Sequence, residues 1–200
     1  MTNLRLVLRA VLFATLGGSG LLACTHTPTP HYYVLSATGG AAAASLRSGP
    51  PVGLGPITLP EYLDRAQVVT RATDSRLELS MNHRWAEPLA ASFARALLTN
   101  LEYEMPSANI VVHPWRTSVG IARQVQIEVT RFDSGADGTF HLHARWTISS
   151  PDTDGTSHTH HSDIALPLAT QADDYDALVA AANKAVAALA TAITAQLQAP

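Results

Sequence analysis

Gln124-Val125-Gln126-Ile127-Glu128-Val129-Thr130 and, a little further on, Phe140-His141-Leu142-His143-Ala144-Arg145-Trp146-Thr147-Ile148 decide how this chain folds. In both, apolar and polar residues alternate strictly. Val125, Ile127 and Val129 fall to one side and Gln124, Gln126 and Glu128 to the other; Phe140, Leu142, Ala144, Trp146 and Ile148 then oppose His141, His143 and Arg145. A period of two marks strands with one buried and one wet face, because successive side chains leave a strand on opposite sides. Pro151-Asp152-Thr153-Asp154-Gly155 has turn chemistry, and a return strand over residues 157–168 completes a hairpin. Outward from this pair, residues 31–36, 52–57, 67–72, 76–80 and 108–112 read as short strands, and the Ala-, Gly-, Ser- and Pro-rich stretch 38–51 as a loop.

Two segments change period. Trp85, Leu89, Phe93, Leu97, Leu98 and Leu101 recur at helical spacing, which predicts a helix from Trp85 to Tyr103 with Pro88 in its first turn and Met105-Pro106 ending it. Over residues 173–197, Tyr175, Leu178, Val179, Ala182, Val186, Leu189, Ile193 and Leu197 form one apolar stripe, and Asp173, Asp174 and Asp176 suit the positive end of the helix dipole. Two helices and seven or eight half-buried strands imply an α+β two-layer sandwich. Its mostly antiparallel or mixed sheet carries both helices on one face.

With 46% apolar and 14% charged residues among 200, the chain is suited to one domain with a real core and is too apolar for global disorder. Thirteen basic residues against 16 acidic give a net charge of −3, which lacks the cationic face that nucleic acid requires. One cysteine excludes an intrachain disulfide and any thiolate-rich metal site.

That cysteine closes a secretory signal. Arg5 and Arg9 form the basic n-region, residues 10–22 form an apolar run softened by Gly17-Gly18-Ser19-Gly20, and Leu21-Leu22-Ala23-Cys24 follows. The run is shorter than the roughly 18 residues a spanning helix needs. Leu-Leu-Ala-Cys resembles the bacterial lipobox, so residues 1–23 are expected to be removed and Cys24 acylated. Cleavage takes Arg5 and Arg9 from the 13 basic residues and none from the 16 acidic, moving the net charge from −3 to −5. The tether Thr25-His26-Thr27-Pro28-Thr29-Pro30 is held extended by its prolines and spans about 20 Å. One domain, residues 31–200, is expected beyond it.

Several blocks resemble a known family. Tyr32-Tyr33-Val34-Leu35, the run from Val52 through Pro60-Glu61-Tyr62-Leu63-Asp64-Arg65, Val68-Val69-Thr70-Arg71, Arg76-Leu77-Glu78, Arg84-Trp85-Ala86-Glu87-Pro88-Leu89, Arg131-Phe132-Asp133 and Ala144-Arg145-Trp146 are similar, in this order, to the ABC-type transport auxiliary lipoproteins. The resemblance covers almost the whole mature chain. It implies a non-enzymatic, periplasm-facing lipoprotein of an MCE-type intermembrane lipid transport system, standing at its outer-membrane end. Its implied partners are an MCE-domain protein, the membrane through the N-terminal lipid, and further copies of itself in a ring.

Within these blocks, Pro60, Glu61, Tyr62, Leu63, Asp64 and Arg65 mix an aromatic anchor with orienting charges, which suits a partner contact. The same residues also suit a structural corner in which Tyr62 and Leu63 cap the core and Asp64 pairs Arg65 or a neighbour. Arg84 can present a charge to a partner, while Trp85 and Glu87 read as the buried start and dipole-facing acid of a helix. His141 and His143, with His158, His160, His161 and Asp163 on the return strand, could approach metal-ligand distance, but a one-residue slip in register sends alternate histidines to opposite faces. They read as solvated edge residues rather than a metal site. No phosphate loop or nucleophile elbow is present in the mature chain, Asp64, Glu87 and Asp133 are scattered carboxylates, and neither an enzyme nor a cofactor is expected. A His-rich metal-binding lipoprotein and a purely structural envelope lipoprotein are the alternatives to the transport reading.

Overall fold

The computed structural model describes residues 29–40, 49–116, 120–150, 156–168 and 174–199. The signal segment, Cys24, residues 25–28 of the tether, the turn at 151–155 and Asp173 lie outside them.

The alternating stretches form the two central strands, β6 (Arg123–Ser134) and β7 (Thr139–Ser149), and the return segment forms β8 (Ser157–Pro167). Val125, Ile127, Val129, Leu142, Ala144 and Trp146 are buried, whereas Gln126, Glu128 and Arg145 are exposed. β7 lies antiparallel along the whole of β6, and β8 lies antiparallel beyond β7. On its other side β6 meets two strands in succession. β2 (Pro51–Thr58) runs parallel to its first half, and β3 (Gln67–Thr73) joins it only near its end, at Thr70↔Ser134. β5 (Asn109–Val112) extends the β2 branch; β4 (Arg76–Trp85) and the short edge strand β1 (His31–Tyr33) extend the β3 branch. The result is a mixed eight-stranded sheet that forks at β6.

Helices α1 (Leu89–Glu104) and α2 (Tyr175–Gln198) supply the second layer of this α+β structure. The alanine-rich stripe of α2 lets backbones approach closely, so that Ala182, Ala185, Val186, Leu189, Ala190 and Ile193 are completely buried. By length and composition α2 could cross a bilayer, but 56% of its most apolar window is buried inside the protein, which makes it the core helix. Asp174 accepts the Ala177 N–H at 2.9 Å and caps its start. At the centre, Phe132 meets Phe93 and Phe140 edge to face with centroids 5.4 and 4.9 Å apart.

The expected helix at Trp85 begins later. Trp85 N–H donates to the Ala66 carbonyl and Ala86 N–H to the Tyr33 carbonyl, so the sheet holds this segment extended and β4 runs on through Trp85 instead of ending near Ser80. The helix then starts at Leu89 with Pro88 as its N-cap, where a residue without an N–H costs no hydrogen bond.

Candidate functional site

After β2 the chain makes one 3-10 turn, Glu61–Leu63, before β3 begins. Leu63 N–H donates to the Pro60 carbonyl at 2.9 Å and Asp64 N–H to Glu61 at 3.0 Å. This tight turn divides the block Pro60 to Arg65. Leu63 points into the core at 3% exposure, Tyr62 is half-buried, and Glu61, Asp64 and Arg65 are exposed. Among the described residues those three charges make no ion pair, with one another or with a neighbour.

Tyr62 has a partner of its own: its hydroxyl donates to Oδ2 of Asp133 at 2.9 Å. Asp133 reaches that position because β6 contains a bulge. Between Val129↔Ala144 and Arg131↔His143 the strand carries one extra residue, after which Phe132 turns to the core opposite Leu142 and Asp133 to the other face opposite His141. There the carboxylate is fully buried by the corner. Besides Tyr62 it accepts from Arg131 Nε at 2.9 Å and from Arg71 through Nε at 3.2 Å and Nη2 at 3.0 Å. The Arg71 guanidinium also lies over the Tyr62 ring, 5.7 Å from its centroid, and donates through Nη1 to the Asp74 carbonyl at 2.9 Å.

Burial alone pushes the Asp133 carboxyl up, but hydrogen bonds from Arg71, Arg131 and Tyr62 outweigh it and hold the group below the usual aspartate range. Burial, reinforced by the Asp133 charge, raises the Tyr62 phenol, and the Asp133 hydrogen bond raises Arg71. An anion with its acceptor sites filled is a poor proton donor or base. It acts as a lock joining the 3-10 turn, β3 and β6, so that the corner presents Glu61, Asp64 and Arg65 from a fixed base. Arg84 stands beside this corner through the pair Gln67↔Arg84 and faces Tyr32 of β1 on its other side. Its Nε is buried with no hydrogen-bond partner among the described residues.

The β7–β8 register divides the histidines. His160 lies opposite Trp146 on the helix side of the sheet and stacks on it at 4.4 Å, and His158 lies opposite Ile148 on the same side. His161 lies opposite Arg145 on the far face, which also carries His141 and His143, their rings edge to face at 5.8 Å. His141 is engaged by Asp137 at 3.1 Å. Among the described residues no group of three or more His, Cys, Asp or Glu side chains is arranged to hold a metal ion. A different imidazole is the most enclosed by rings: His83 stacks on Tyr175 at 3.9 Å and on His31 at 5.1 Å, and its Nδ1 is hydrogen-bonded to the Tyr33 hydroxyl at 2.9 Å.

Sequence reasoning overlooked Arg71, Arg131 and Asp133 as one unit. The signal was a change of phase, since the alternation of Val125, Ile127 and Val129 resumes at Phe132 rather than at Arg131, as a bulge requires.

Residues 33–194 match the family model described as the ABC-type transport auxiliary lipoprotein component. The intermembrane transport lipoproteins PqiC of Escherichia coli K12 and Shigella flexneri are each 27% identical to the chain over 94 residues, covering 46% of it and 48% of the relative. The chain thus spans about half the length of the curated relatives it matches. A crystal structure of an uncharacterized protein superposes with a TM-score of 0.71 at 20% identity, covering 86% of this chain and 100% of that one. A Xanthomonas campestris protein does so with a TM-score of 0.63 at 17% identity, covering 84% and 98%. At these identities the two structures share the fold.

Proposed function

Because the chain belongs to the ABC-type transport auxiliary lipoprotein family, whose members are envelope transport accessories rather than enzymes, we propose that it docks to and positions an MCE-type intermembrane lipid transport complex. In this reading Cys24 carries the lipid, the domain faces the periplasm, and the anchor sits in the outer membrane because Thr25, not an aspartate, follows the cysteine. The MCE-domain protein is the partner, and copies of the chain assemble around its end, as in a ring.

The observation that carries the proposal is the convergence of three family-like blocks at the Asp133 carboxylate. Pro60 to Arg65 contributes Tyr62, Val68 to Arg71 contributes Arg71, and Arg131 to Asp133 contributes the acid and its other arginine. A pre-ordered corner loses little entropy on binding, and its exposed Glu61, Asp64 and Arg65 can steer and orient a partner of complementary charge. Tyr62 serves as a positioning residue rather than as the docking anchor. Reversing the charges with Asp64→Lys and Arg65→Glu is expected to abolish capture of the MCE-domain protein while leaving the melting temperature within about 4 °C, since exposed charges typically change stability by less than ~0.5 kcal/mol each. Undiminished capture by this variant overturns the docking role of the corner.

A further inference from the structure

The edge formed by β1 and β4 is apolar where a sheet edge should be wet. Among the described residues six large apolar side chains are exposed, and four of them, Tyr32, Val34, Leu79 and Met81, belong to β1, β4 or the residue that follows β1. Met81 is the most exposed at 80%, followed by Tyr32 at 62%. A local irregularity puts Met81 there. Between Gln67↔Arg84 and Val69↔Leu79, β3 advances two residues and β4 five, so β4 carries a bulge of three extra residues against β3. The bulge is pinned by the His83 N–H, which donates to Ser80 Oγ at 3.0 Å.

The direction of β1 decides what this edge faces. β1 is parallel to β4 with His31 beside His83, so Thr29 and Pro30 enter β1 at the end of this edge toward which β4 carries Asn82 and Met81. Six residues lie between Cys24 and His31, and the seven Cα-to-Cα steps reach at most about 25 Å. We propose that Met81, Leu79 and Tyr32, with Arg84, form a second membrane contact that rests the domain on the bilayer holding its lipid. This inference depends on acylation of Cys24.

Each side chain suits that occupant. Methionine is flexible and fills irregular apolar surroundings, so it inserts without needing a shaped pocket. Tyrosine is favoured at the bilayer interface, where its ring is apolar and its hydroxyl wet. Arg84 lies directly across from Tyr32, its Nε buried without a hydrogen-bond partner among the described residues, and the other N–H groups of a guanidinium beside an interfacial tyrosine suit a lipid phosphate. The mature net charge is negative, so general attraction to anionic headgroups cannot hold the domain down, and adhesion falls to apolar insertion.

The test exploits the single native cysteine. Once Cys24 is acylated, Met81→Cys provides the sole free thiol, and Ser107→Cys provides a control in the exposed loop after α1, by the opposite end of β6. The full-length lipoproteins are purified, their acylation is verified by mass, and they are labelled with an environment-sensitive fluorophore in vesicles of phosphatidylethanolamine and phosphatidylglycerol. The probe at position 81 is expected to shift its emission to the blue and to be quenched by brominated lipid tails, while the probe at 107 stays quenched by aqueous iodide. Iodide quenching at 81 in a verified lipoprotein overturns the inference. So does a blue shift without lipid quenching that grows with protein density, which assigns the edge to a second copy of the chain. An unmodified Cys24 instead refutes the anchoring reading on which the inference stands.

Discussion

Replacing Asp133 by asparagine separates a structural lock from a decorative ion pair. The substitution keeps the shape but removes the charge that Arg71, Arg131 and Tyr62 share, and it turns an amide N–H₂ toward at least one of those donors. Removing one partner of a buried ion pair costs about 3–5 kcal/mol. Asp133 is fully buried, but the Arg71 and Arg131 side chains are 19% and 22% exposed, so water partly takes over from the lost acceptor. The expected loss is therefore about 3 kcal/mol, at the low end of the range for a broken buried pair. At about 2–4 °C per kcal/mol for a domain of this size, the melting temperature should fall by roughly 6–12 °C. Tyr62→Phe removes one charge-assisted hydrogen bond while keeping the ring, and should cost about 1.5 kcal/mol. The two changes share one carboxylate, so the double variant should lose clearly less than their sum. Urea unfolding followed by circular dichroism reads all three. An Asp133→Asn protein within about 1 kcal/mol of the parent, or strict additivity with Tyr62→Phe, refutes the account of the lock.

Acid should act on two groups in different windows. Burial, then the charge of neighbouring His31, push the His83 imidazole below its ordinary value, against the opposing pull of Asp176. The unfolded chain therefore binds more protons as pH drops below about 6.5, so His83 should contribute stability that is present above that value and lost as pH falls toward its folded one. His83→Phe, which keeps a ring between His31 and Tyr175, should flatten this part of a chemical-denaturation series from pH 7.5 to 5. Asp133 is also held low, so its contribution should persist to about pH 4 and disappear only as pH falls further. Asp133→Asn should therefore level the acid limb and not the limb near neutrality. Cys24→Ser should release the protein from sedimented membranes or leave its signal uncleaved; a soluble mature parent with an unmodified Cys24 would falsify the lipoprotein reading.

Legibility followed range. The strands β6 and β7 and helix α2 were readable because one face of each is apolar over many residues, and the side chains that set the period are those that make the core. The start of α1 was misread because Trp85 and Leu89 have helical spacing. What keeps Trp85 extended is the carbonyl of Ala66 and, one residue on, that of Tyr33, neither of which a local pattern contains. The same limit hid the lock, whose members come from positions 62, 71, 131 and 133 and meet only after β3 joins the end of β6. Tyr62 suited a partner anchor and a structural corner equally because the acceptor that decides between them is 71 residues away. The histidines could not be sorted until Trp146↔His160 fixed the register and with it the face of each ring.

The fork in the sheet explains why an expensive buried charge stands where it does. β3 is paired to β6 at a single position, Thr70↔Ser134, so little backbone hydrogen bonding ties the β1–β4 branch to the centre of the domain. Apolar packing from the helix side fills one face of that seam through Leu63, Val68 and Phe132, but on the opposite face no helix covers it among the described residues. A carboxylate supplied by the bulge of β6, held by one arginine from its own strand and another from β3, crosses the seam with directional bonds that an aliphatic contact could not provide. Tyr62 completes it from the 3-10 turn, so the exposed charges of the corner and the branch carrying β1 are fixed against the same carboxylate. If β1 is the side on which the domain meets its anchor, the lock sets the angle between the membrane and the corner offered to a partner. A rigid angle is what a positioning subunit requires.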